Sequence, residues 1–105
     1  MEWLEPWWHV AAERPELTAL YEREMRAEVG ADHPLYGVPV AAIGKDDSCD
    51  DVLFQLLDGS GRVAVVHLTW TRHPEPMPWP ATEIFPDLES FAELHMRPDF
   101  EEYWT

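Results

Sequence analysis

Two apolar runs, DVLFQLL at 51–57 and RVAVVHLTW at 62–70, are joined by DGSG. That junction constrains the fold more than any other stretch, because turn residues between two alternating runs specify a β-hairpin. With Gly59, Ser60 and Gly61 in the loop, Asp58 is expected opposite Arg62. Side chains alternate along a strand, so the even positions Val52, Phe54, Leu56, Ala64, Val66, Leu68 and Trp70 share one face. The odd face carries Leu53, Gln55, Leu57, Val63, Val65, His67 and Thr69. The even face is the more apolar and is expected to meet a helix. A two-residue loop would mix the two faces. The odd face is then left for tryptophan-rich segments or a second subunit to cover.

The helix to fill the even face is PELTALYEREMRAEV at 15–29. Pro15 suits a first helical position and Glu16 the positive end of the helix dipole. Leu17, Leu20, Tyr21, Met25 and Val29 fall on one stripe. Glu22, Glu24 and Glu28 lie off it, Glu22 is placed to pair with Arg26, and Gly30 is a C-cap. Residues 2–12, with Trp3, Leu4, Trp7, Trp8 and Ala11, have the spacing of a short helix. VPVAAIG at 38–44 reads as a strand beginning near Pro39, and ATEIF at 81–85 as a last short one. DLESFAELHM at 87–96 reads as a helix capped by Asp87 and ended by Pro98, with Leu88, Phe91, Ala92 and His95 or Met96 facing inward. A further helical turn carries Phe100, Tyr103 and Trp104. Between them, HPEPMPWPA at 73–81 has proline at every second position. Extended, it would lose its donors on one side only, as a blocked sheet edge does, so it reads as a structural wrap or a protected edge, with a partner-binding arm as the alternative. The expectation is one α+β domain over residues 1–105. Its three- to four-stranded, mainly antiparallel sheet is packed by an N-terminal and a C-terminal helix.

Twenty-one acids face seven bases, a formal net charge of −14, and Lys45 is the only lysine. Such a surface repels nucleic acid and anionic membranes and attracts basic proteins. No apolar run approaches the ~20 residues of a helical membrane span. MEWLEPWWHV has no basic residue ahead of its apolar stretch, unlike a secretory signal, so a cytoplasmic protein is expected. The lone cysteine, Cys49, cannot form an internal disulfide and agrees with a reducing compartment.

The densest acidic stretch is KDDSCDD at 45–51. It lacks the glycine and distal glutamate of a calcium-binding EF loop, and reads as a turn between strands or a docking site for arginine and lysine. Two imidazoles and a carboxylate, His67, His73 and Glu75, can bind zinc in principle. Their positions, one in a strand and two beyond its end, do not force them together, and no metal or cofactor site is assigned. Acids around Cys49 raise a thiol pKa and disfavour a nucleophile. No catalytic triad order or phosphate-cradling loop is present, so no catalytic residue is assigned. Of the six tryptophans, Trp70 reads as core, while the others seal the ends of a small core or serve as contact anchors.

The expected function is a protein-binding module for a basic partner. Asp46, Asp47, Asp50 and Asp51 steer and pair charges, Trp79 anchors, and Glu75 supplies a rim charge. In size, charge and α+β layout the chain resembles, in general terms, the acidic immunity or inhibitor proteins that bacteria make against toxins. The alternatives are an acidic chaperone or scaffold that buries a sheet face in a homodimer, and a metal-dependent enzyme using His67 and His73.

Overall fold

In the computed structural model, which describes residues 1–105, five antiparallel strands lie side by side in chain order. They are β1 (Trp7–Trp8), β2 (Val40–Asp46), β3 (Asp51–Leu56), β4 (Val63–His67) and β5 (Thr82–Phe85). The fold is α+β, with one strand more than expected. The extra strand is β1, in the segment whose apolar spacing predicted a helix. Trp7 and Trp8 pair with Asp46 and Lys45, and helix α1 starts only at Val10 (Val10–Glu13). Backbone pairing to an exposed sheet edge overrides a weak local preference here.

Asp51 pairs with His67 and Val52 with Val66, two residues out of the expected register but with the same parity. The hairpin loop is therefore Leu57–Gly61, closed by Leu56 N–H on the Arg62 carbonyl. Gly59 and Gly61 both have positive φ, and the Asp58 carboxylate accepts from the Ser60 backbone and from Arg62. Those hydrogen bonds, Ser60 first, hold the Asp58 carboxyl down to about 2. Because parity is kept, the faces come out as read. Val52, Phe54, Leu56, Ala64, Val66 and Leu68 pack under Tyr21, Met25 and Val29. Trp70 does not join them; it sits past the end of β4, partly exposed, with φ 61°.

The helix over that face begins as a 3-10 turn at Pro15–Leu17 and continues as α2 (Thr18–Glu28). Its buried side is not purely apolar. Tyr21, Met25 and Val29 are buried as the stripe predicts, but Glu24 and Glu28 are buried with them and Leu20 is exposed. Glu22 does not pair with Arg26; its carboxylate accepts from Ala42 N–H at 2.9 Å. That donor lies at the β-bulge between Ala42 and Gly44, where the ladder to β3 shifts register. Gly30 is not a left-handed cap either: a Cβ there would stand 3.3 Å from the Glu75 carbonyl, so its smallness admits the proline segment.

The odd face is covered within the chain. Leu53, Val63, Val65 and Phe85 pack with Trp7, Phe91 and Met96, flanked by Trp3, Leu4 and Leu88. The covering helix opens at α3 (Leu88–Phe91), with Asp87 accepting from Ser90 N–H as its cap. It does not stop at Pro98. A π-turn over Ala92–Met96 bonds Arg97 N–H to the Ala92 carbonyl, and α4 (Arg97–Tyr103) carries on. Proline lacks the donor for the fourth carbonyl back and its ring crowds that carbonyl; the wider turn just before it lets the helix pass. No helix is long and apolar enough to cross a membrane.

Trp3 lies directly on Gly44, where a Cβ would come within 2.7 Å of its ring and 3.3 Å of the Leu53 Cβ. Gly44→Ala is therefore expected to displace Trp3 and cost about 1–2 kcal/mol. In a Trp3→Ala background most of that cost should vanish, which a double-mutant cycle in urea checks.

Candidate functional site

The proline segment is a tethered loop rather than an edge strand. Its N–H groups go to partners off the sheet: Glu75 to the Glu28 carbonyl at 2.9 Å, and Trp79 back to Pro76 at 3.0 Å. On one side the turn that leads into it is held by the two buried glutamates. Glu28 accepts from the backbone N–H of Thr69 and Trp70, each at 2.8 Å, and Glu24 from that of Arg72 at 2.9 Å. Trp70 and Arg72 both have positive φ, so a helix-borne carboxylate pair folds this turn from outside. Buried His33 holds the other side. Leu35 N–H donates to its Nδ1, which leaves Nε2–H to donate to the Pro80 carbonyl at 3.1 Å. Between the tethers Met77 and Trp79 project into solvent.

This anchorage brings part of the expected binding set together. Asp50, His67, Leu68, Thr69, Glu75 and Trp79 line an open hollow of about 440 Å³. Trp79 is 47% exposed. Trp70 Nε1 donates to Asp50 Oδ1 at 3.3 Å and so orients that carboxylate. Hydrogen bonds from Thr71 and Thr69 hold the Glu75 carboxyl below its usual range, leaving it charged at neutral pH. The hollow thus carries two carboxylates beside an exposed indole, a suitable lining for a guanidinium or ammonium group.

The remaining aspartates of the acidic stretch do other things. Asp46 is buried, and its Oδ1 accepts from Ser48 N–H at 2.7 Å and Ser48 Oγ at 2.6 Å. These hydrogen bonds shape the turn. Asp51 accepts a 2.7 Å hydrogen bond from His67. Asp47 is exposed, with its N–H on the Pro6 carbonyl. Lys45 lies across the turn, its Nζ on the Asp46 carbonyl at 2.6 Å and on the Cys49 carbonyl.

His73 does not join His67: its Nδ1 is 3.2 Å from the Pro74 carbonyl. The residue that does approach is Cys49. The donor atoms of Cys49, Asp51 and His67 all lie within 4.8 Å of one another. Burial, and then the nearby Asp51 and Asp46 carboxylates, push the Cys49 thiol up to about 11, so on its own it is a poor nucleophile. Sequence alone masks this grouping, because the cross-strand pairing of Asp51 with His67 depends on the hairpin register. Glu24, Glu28 and His33 are hidden for a different reason: charge and polarity predict exposure, and nothing local announces a turn 41 or more residues away that needs acceptors. Compared with protein-family models, curated proteins and solved structures, the chain shows no significant match.

Proposed function

We propose that this protein is a cytosolic protein-binding module that captures a basic partner, immunity- or inhibitor-like in kind. A lysine or arginine of the partner enters the hollow between Asp50 and Glu75 against Trp79. The observation that carries this is the convergence of those three side chains on one open concavity of a chain with net charge −14. Net charge speeds encounter with a cationic surface, and a desolvated carboxylate–cation contact beside an indole supplies the hold. Asp47 adds to the steering field. Asp46 and Asp51 hold the turn that presents Asp50. Both apolar sheet faces are covered within the chain, so neither is left for a twin, which favours the binding module over a dimeric scaffold.

The test starts with capture of a basic protein from native lysate at low salt, its release at raised salt, and its identification. The captured protein is then purified and titrated. Asp50→Lys should weaken its binding about tenfold or more, and Trp79→Ala by about 30-fold. Glu89→Lys, a reversal on α3 outside the hollow, should have little effect. Full affinity retained in both hollow variants would discard the reading, as would equal losses from all three.

A further inference from the structure

We propose that Cys49, Asp51 and His67 form a zinc-binding site on the odd face of the sheet, at the β2–β3 turn. Each residue is delivered by a different feature. Asp51 and His67 are directly opposed across the β3–β4 ladder, so their side chains project from the same face. Cys49 is carried in by the turn that follows β2. That turn is tied by Lys45 to the Asp46 and Cys49 carbonyls and by Asp46 to Ser48, so the backbone that carries the exposed Cys49 is held in place.

The chemistry of the donors selects the metal. Sulfur, imidazole nitrogen and carboxylate oxygen together suit zinc, whereas calcium and magnesium take oxygen alone. Ligand atoms around tetrahedral zinc stand about 3–4 Å apart. Donors already within 4.8 Å reach that spacing by small side-chain rotations. On binding, the Cys49 S–H proton passes to solvent and the thiolate takes its place on the metal. His67 binds as neutral imidazole, giving up its hydrogen bond to Asp51. Asp46, Asp47 and Asp50 next to the turn favour a dication, and Lys45 opposes it. Three protein ligands leave one coordination position for water or an external donor. The Asp51–His67 contact alone would account for two of the residues, but not for a cysteine held beside them.

Cobalt(II) is the probe, added to untagged protein with zinc as competitor. The expected result is a thiolate-to-cobalt charge-transfer band that saturates at one equivalent and is abolished by zinc. Cys49→Ser should remove the band. His67→Gln should weaken cobalt binding about tenfold or more, whereas His73→Gln should leave it unchanged. Trp79→Ala should also leave it unchanged, which separates metal binding from partner capture although His67 lines the hollow as well. Absence of the band in the wild type would overturn the site. So would cobalt affinity indifferent to both Cys49→Ser and His67→Gln, which would mark diffuse association with surface carboxylates.

Discussion

Glu28→Ala is expected to destabilise the protein by about 3 kcal/mol, since it takes the acceptor from two part-buried backbone donors at about 1 kcal/mol each and opens a cavity as well. Thr69 and Trp70 both give their N–H to this one carboxylate, and Glu28 is fully buried. The turn at 69–72 has no ladder partner to substitute. Glu28→Gln keeps one accepting oxygen and should cost less. The urea midpoint is the readout, with an unchanged denaturant slope indicating that compactness is preserved.

The same residue imposes a pH dependence. Burial, and then the hydrogen bond shared with Glu24, raise the Glu28 carboxyl above its ordinary value of 4.5. The folded protein therefore holds this proton more tightly than the unfolded chain does. The associated stabilisation is fully present below 4.5 and is lost as pH rises through the raised native value. Wild-type stability should grow on mild acidification, and Glu28→Gln, which does not titrate, should lack that component. At lower pH the opposite sign takes over. Asp58, Asp87 and Glu75 have carboxyls held below their ordinary values by hydrogen bonds, and their contributions disappear as they protonate. A Gln variant whose pH profile parallels the wild type would overturn the assignment to Glu28.

Trp7→Ala is the second large effect, about 3–5 kcal/mol. The indole is 1% exposed and sits at the centre of the odd-face core. It meets Phe91 edge-on at 5.1 Å between ring centroids, and its Nε1 donates to Asp99 Oδ2 at 2.8 Å. Trp7→Phe retains most of the volume and forfeits the hydrogen bond, so it should cost only about 1–2 kcal/mol. Equal losses for the two variants would mean that the bond to Asp99, and not the packing, carries the contribution.

Alternation and turn chemistry made the hairpin faces legible, and the Pro15 start of the 3-10 turn ahead of α2 and the Asp87 cap followed from equally local rules. What stayed hidden depends on partners far along the chain. Trp7 and Trp8 have helical spacing, yet β2 offers an edge that captures them. Glu24 and Glu28 look solvated until the 69–72 turn is seen to need acceptors. Pro98 looks like a terminator because a π-turn leaves no clear mark in sequence. Asp50, Glu75 and Trp79 could be named individually from charge and aromaticity. Their meeting required His33 and Glu28 to fold the proline segment back, and neither residue stands out in the sequence. Cys49 reads from its acidic neighbours as a poor nucleophile, which its raised thiol pKa bears out, but its approach to Asp51 and His67 depends on the hairpin register.

The two cores also differ in how far along the chain their members must search for one another. β3 and β4 close across a short loop, whereas Trp7 and Asp99 meet across 92 positions. The entropy of closing a loop grows with its length, so the central ladder is expected to assemble early, and the clasp between the amino-terminal strand and the last helix to arrive late. Released in reverse order, that clasp frays while the β3–β4 ladder holds. Asp51 and His67, opposed on that ladder, would then outlast the parts of the molecule that merely enclose them.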